Sequence, residues 1–248
     1  MSINTIKKRL DSFKFEYPLL EAKKAVLGID TVFYGHRFAV TVFRGLISGK
    51  NLLWYFSEKE SIDLVIKGIN QLLSQGIDII NIVCDGKNLK LDRYFPSIPI
   101  QMCHFHQLAI VKRYLTSKPK LEASKQLKQI AELLPVTTEE KFTMLLDAWY
   151  FRWSDFLKEK TITDETNRWF YTHKRLRSAY RSLRTNLSYL FTFRRLRKRY
   201  GVGFPNTNNS LEGFFAHLKD KVRLHRGLKT KRKLKIINQI LLGIAPEN

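Results

Sequence analysis

Three short runs near the start of the chain, residues 25–30 (AVLGID), 38–46 (FAVTVFRGL) and 51–56 (NLLWYF), are rich in β-branched and aromatic residues and separated by polar or glycine-containing turns. Such runs read as strands, and three in succession as a meander. The period then changes. Ile62, Val65, Ile66, Ile69, Leu72 and Leu73 recur at helical spacing until Gly76, and Ser57 with Glu60 offers a capping box ahead of them. Residues 77–84 (IDIINIVC) are almost continuously apolar, as in a strand buried on both faces. A weaker strand at 98–103 (IPIQMC) precedes a helix that begins near Phe105.

From Pro119 to about Tyr200 the periodicity is helical throughout, with no strand signal. Residues 120–134 are amphipathic, Thr137 and Glu140 form a second capping box, and residues 141–157 carry large apolar side chains at three- and four-residue spacing. The stretch 201–210 (GVGFPNTNNS) is a loop, and residues 211–224 and 231–242 read as two closing helices. These elements describe an α/β chain. Its expected divisions are an N-terminal extension at 1–21, the first part of a core at 22–118, a helical insertion at 119–205 and the C-terminal helices of the core at 206–248.

With 248 residues, 44% of them apolar, the chain can bury a core without staples. Its two cysteines, Cys84 and Cys103, make no disulfide framework, and no apolar run is long enough to span a bilayer. The opening MSINTIKKRLDSF is interrupted by charges before a signal-peptide core can form, so a cytoplasmic location is expected and no membrane partner. Charge narrows the partners further. The 44 Lys and Arg against 22 Asp and Glu give +22, far beyond what solubility needs. Residues 168–235 hold 20 of the basic residues and only two acids, Glu212 and Asp220, a local net charge of +18. A polyanion is the expected partner, held mainly by the C-terminal third, although a solvated basic surface or a ribosome-associated protein would have the same composition.

Candidate chemistry lies with three acids. Asp30 closes the first strand run, and Asp85 follows the run at 79–84 just before Gly86. The carboxyl ends of strands in an α/β sheet are where ligands bind. Glu212 opens the first closing helix, directly after the polar loop. Carboxylates brought together without basic partners repel one another unless a cation lies between them, and Mg²⁺, with Mn²⁺ as a substitute, takes such oxygen ligands together with substrate phosphate. That chemistry is phosphodiester cleavage and transfer. Singly, each acid has a plainer reading: an Asp after a strand is often a turn former, and a Glu in the first turn of a helix is favoured by the dipole.

Taken together, GIDTVFYG around Asp30, IVCDG around Asp85, QMCHFH at 101–106, the long helical insertion and PNTNNSLEGFFAHLK around Glu212 resemble DDE transposases of the IS256 and Mutator-like type. The resemblance covers roughly residues 22–243, with triad spacings of 55 and 127 residues. It implies an RNase H-like fold, three antiparallel strands followed by parallel ones, with the insertion before the last catalytic helix and the first and fourth strands side by side. It further implies that Asp30, Asp85 and Glu212 hold the metal ions. The reaction implied is strand hydrolysis at an element end followed by attack of the released 3′-hydroxyl on target DNA, by a homodimer on double-stranded DNA associated with the nucleoid.

Cys103 and His106 match the family's C-x-x-H motif and are expected to shape the site behind the ligands; a structural zinc site would need further Cys or His ligands at finger spacing. The loop residues Asn206, Asn208, Asn209 and Ser210 can cap the following helix, and at least one of them is expected to, with Asn208 and Asn209 also candidates for phosphate contact. Arg168, Lys174, Arg175, Arg177, Arg181, Arg184, Arg194, Arg195 and Lys219 are expected DNA contacts, on the ground that so many cations without local acids need phosphate. Trp169 is a candidate to stack on a displaced base, as the resemblance implies, whereas most of Phe170, Tyr171, Tyr180, Tyr189, Phe191 and Phe193 are expected to be buried. Relatives commonly carry an end-reading module before the catalytic domain, and only 29 residues precede Asp30. A nuclease or resolvase of the same fold, or a domesticated element that binds DNA without cutting it, are the competing readings.

Overall fold

A computed structural model describes residues 2–15, 23–86, 88–163, 167–201 and 203–243; the expected start of the core at residue 22 lies outside them. The chain divides into two compact units, one of Met1–Ile82, Arg93–Ile98 and Asn208–Asn248, the other of Val83–Asp92 and Pro99–Thr207.

The first unit begins with helix α1 (Ile3–Ser12) and the meander β1 (Lys24–Tyr34), β2 (Phe38–Gly45) and β3 (Asn51–Ser57). β1 runs longer than its apolar run suggests, because Thr31, Val32, Phe33 and Tyr34 continue the extended backbone up to Gly35, whose φ of +63° makes the turn. Asp30 therefore lies within the strand, opposite Val42 of β2, and not at its end. Helix α2 (Ile62–Ser74) is capped by Ser61, whose hydroxyl accepts from the Leu64 N–H at 3.2 Å, so the expected Ser57 box is displaced. β3 is still extended at Ser57, and only Ser61 has the reach to the first free N–H groups. Strand β4 (Asp78–Cys84) follows.

The meander has two differently covered faces. Gly68 of α2 lies against the Phe43 ring, and Val65, Ile69 and Leu72 bury the same helix stripe. On the other face Val32, Val40, Val42 and Trp54 pack with Leu211, Phe215, Leu218 and Val222 of α8 (Asn209–Leu224) and with Ile237 and Leu241 of α9 (Thr230–Leu242). The Trp54 indole donates to Asn238 Oδ1 at 2.9 Å, and Asn51 Nδ2 donates to the Leu241 carbonyl at 3.0 Å, which ties α9 to β3. Asp11 of α1 accepts both arms of Arg232 at 2.9 and 2.6 Å.

After β4 a 3₁₀-helix (Asn88–Arg93) stands where only a linker was expected, and the second unit continues with β5 (Ile100–Met102) and α3 (His104–Leu115). Next come α4 (Glu122–Glu132), α5 (Glu139–Lys158), β6 (Lys160–Ile162), β7 (Trp169–Tyr171), α6 (Lys174–Leu190) and α7 (Thr192–Tyr200). The stretch expected to be wholly helical is thus interrupted by a β6–β7 hairpin that pairs Lys160 with Tyr171 and Ile162 with Trp169. The cap of α5 is Thr138, one residue beyond the expected Thr137, with its hydroxyl accepting from the Lys141 N–H at 3.3 Å. Trp149 donates from its indole to the Ala123 carbonyl at 2.9 Å, fixing α5 on α4.

The whole is a mixed α/β fold whose five-stranded mixed sheet has the order β3-β2-β1-β4-β5. Among the described residues, no helix is long and apolar enough to cross a membrane.

Candidate active site

Side chains alternate across a strand, so Asp30 shares a face with Val32 two residues on and with Val42 directly opposite. That is the face on which Leu211 and Phe215 of α8 pack. Asp30 is half-buried, and its carboxylate accepts the Thr31 N–H at 2.8 Å. Glu212, also half-buried, stands in the first turn of α8, beside Leu211 and one turn before Phe215. The two acids of the first unit therefore lie on one side of the sheet, on elements that touch each other.

Asn208 is the N-cap of α8. Its carbonyl accepts from Leu211 and Glu212 at 2.8 and 3.1 Å, while its amide makes no capping bond. Asn206 does not cap this helix. Asn206 belongs to the second unit, where its carbonyl accepts from the His104 N–H at 2.9 Å and its amide meets His104 Nδ1 at 3.2 Å.

In the second unit Asp85 is the first residue beyond β4 and is half-buried. Cys103 is fully buried at the N-cap of α3, its N–H donating to the Cys84 carbonyl at 2.9 Å. His106 lies one turn on, and one of its ring nitrogens is within 4.8 Å of the Cys103 sulfur.

Gln101 and His104, to which the sequence assigns no role, prove to be structural. His104 is 1% exposed, and its Nε2 donates to the Leu190 carbonyl at 2.7 Å. Burial holds its pKa below the ordinary imidazole value, and the charge of Arg194 adds to this. Its rings of contact are Phe191 and Phe193, both edge-on. Gln101 bonds to the Met102 and Leu190 carbonyls and to the Phe193 N–H, so the two residues together fasten the α6–α7 junction to β5. A polar pair inside the buried stretch IPIQMCHFH was the available signal, because polar groups placed there need partners.

The basic segment is corrected in two respects. First, acids do pair with it, supplied from α5: Arg184 meets Asp147 at 2.9 Å and Arg195 takes both oxygens of Glu139 at 2.9 and 2.7 Å. Arg175, Arg177 and Arg194 donate to the carbonyls of Arg113, Leu157 and Pro135 at 2.6, 2.7 and 3.2 Å. Arg168, Lys174, Arg181, Asn209 and Lys219 are exposed. Second, of the seven aromatics only Phe191 is buried. Trp169 is 54% exposed on β7, not on a helix, with the Lys160 ammonium 4.0 Å above its ring. The hairpin's residues are exposed except Tyr171, which is half-buried with the Arg177 guanidinium of α6 3.6 Å above its ring.

No family model matches the chain, and no curated protein matches its sequence.

Proposed function

We propose that this chain is the catalytic core of a DNA transposase, in which Asp30, Asp85 and Glu212 hold divalent metal ions for strand cleavage and 3′-hydroxyl strand transfer. One observation carries the reading: Asp30 and Glu212 share a side of the sheet in the first unit, and Asp85 directly follows β4, the strand next to β1. An RNase H-like fold is part of the proposal. Its support is the antiparallel meander, the strand order in which β1 and β4 are neighbours, and the helices placed between Asp85 and Glu212.

By residue type, the proposed donors suit the metal. Three carboxylates offer only hard oxygen ligands, which suits Mg²⁺ or Mn²⁺ rather than zinc. Bound there, the ions would activate the attacking oxygen and stabilise the leaving one. The chain's own part is to keep these carboxylates on rigid elements: Asp30 is fixed in mid-strand by ladder pairing and by the Thr31 N–H, and Glu212 by the packing of α8. Exposed cations such as Arg181 and Lys219 hold the DNA backbone, and duplex DNA bound by a homodimer is the proposed substrate.

Incubation of supercoiled plasmid with the protein and Mg²⁺ is expected to give nicked and joined products. Asp85→Asn and Glu212→Gln should each reduce both to background while retaining DNA binding. Nicking that persists in both variants refutes the triad. Nicking without any joined product would instead identify a nuclease, and binding without cleavage, together with no carboxylate-dependent uptake of Mn²⁺ in calorimetry, a DNA-binding remnant.

A further inference from the structure

Within the second unit, the end of α3, the start of α4 and the β7–α6 corner enclose a groove of about 510 Å³. It is larger than a single phosphate needs and falls in the range of roughly 300–1,000 Å³ typical of sites for organic ligands. Its wall combines two kinds of surface. Tyr114 and Phe170 present rings, Phe170 being 46% exposed, while Lys118, Lys120, Lys174 and Arg175 supply cations. Among the described residues, no carboxylate lines it. Arg175 is held in place by its bond to the Arg113 carbonyl at 2.6 Å, so at least one of these charges is pre-positioned. The adjoining chain reversal at Thr116 has a φ of +69°, a costly conformation for a β-branched residue.

Duplex DNA does not suit such a groove. Its bases are stacked inside and it offers the protein phosphates on a convex surface, for which a flat basic face is enough. A ring-lined concavity with cations matches an unpaired strand, whose bases can stack on aromatic side chains while the backbone tracks the positive charges. We infer that this groove binds an unpaired polynucleotide strand. The inference does not rest on the catalytic reading, since it uses none of the three acids and needs no metal.

The test is fluorescence anisotropy in EDTA with a labelled oligothymidylate, an oligouridylate of equal length and a blunt duplex. Phe170→Ala and Lys120→Glu are each expected to weaken binding of one or both single strands about tenfold, in line with the cost of losing one stacked base, and to change duplex binding less than twofold. Both positions are exposed, so folding is retained, with an unchanged thermal midpoint as the control. An equal fall for duplex and single strands, or no fall for either, overturns the proposal. Because Asp85→Asn and Glu212→Gln should leave these affinities unchanged, failure of the catalytic reading is read separately from failure of this one.

Discussion

Gln101 allows a sharp test of how the second unit is held together. Its side chain is fully buried, with Nε2 donating to the Met102 and Leu190 carbonyls at 2.6 and 3.0 Å and Oε1 accepting from the Phe193 N–H at 2.9 Å. Only one orientation of the amide works, because two carbonyls require donors and one N–H an acceptor. Gln101→Leu keeps the volume and removes all three bonds. Leu190 retains its bond from His104, so the loss falls mainly on the Phe193 N–H and the Met102 carbonyl. At about 1–3 kcal/mol per buried group left unsatisfied, less the gain from apolar burial, the expected cost is about 2–4 kcal/mol. Gln101→Glu preserves the acceptor but sets a carboxylate against two carbonyl oxygens, which should cost about 3–5 kcal/mol at neutral pH. Burial and those carbonyls raise the pKa of the introduced Glu above its unfolded value near 4.3. The variant is therefore least impaired below that pH, where a proton restores one donor, and loses stability as pH rises. Urea unfolding followed by tryptophan fluorescence at three pH values measures this. A Glu variant no weaker than the Leu variant at pH 7, or a deficit independent of pH, refutes the assignment.

Two further predictions concern other parts of the fold. Gly68→Ala would ordinarily stabilise a helix by nearly 1 kcal/mol, but here the new methyl would lie 2.6 and 2.7 Å from two ring carbons of the buried Phe43, so urea titration should show a net loss of about 1–2 kcal/mol, relieved by Phe43→Leu; a gain in stability would show that the helix and sheet are less closely packed than described. His104, its pKa lowered by burial, contributes stability that is complete above the unfolded imidazole value of 6.5 and is lost as pH falls below it, so the urea midpoint should drop in mildly acidic buffer and drop less in His104→Asn; an identical slope in the variant would assign the loss to other groups.

What was legible in the sequence was what local pattern controls. The meander, α2, β4 and the closing helices follow from residue type and period, since the helices each bury one stripe and the strands are apolar runs covered on both faces. Caps were misplaced by a few residues because Ser57 and Ser61, or Thr137 and Thr138, are equivalent in type and are separated only by where the backbone leaves the extended region. The β6–β7 hairpin was not legible: its three-residue strands have no buried face, so neither period appears. The mid-strand place of Asp30 was obscured because an acid in a strand reads as its end. Of the candidate site, the residue types were readable, while the face shared by Asp30 and Glu212 emerges only from the pairing of β1 with β2 and the docking of α8.

The charge excess shows most clearly why local counting misleads. In sequence, residues 168–235 carry a net +18, and each cation looks available to phosphate. In the structure Arg184 and Arg195 are joined to acids about 37 and 56 residues away, and Arg175, Arg177 and Arg194 cross-link backbone carbonyls of α3, α5 and the turn before α5. Those five serve the helical unit first, and each has fewer of its five N–H donors left for phosphate than an unengaged guanidinium. Each phosphate neutralised on duplex DNA contributes about −0.9 to the slope of log affinity against log salt. The number of contacts that slope can report is therefore limited by exposed residues such as Arg168, Arg181 and Lys219, not by the charge of the segment. The same arginines that make the chain look like a uniform polyanion binder divide into five that bond within the helical unit, of which Arg175, Arg184 and Arg195 are also exposed, and others such as Arg168 and Arg181, whose substitution should change DNA affinity without changing stability.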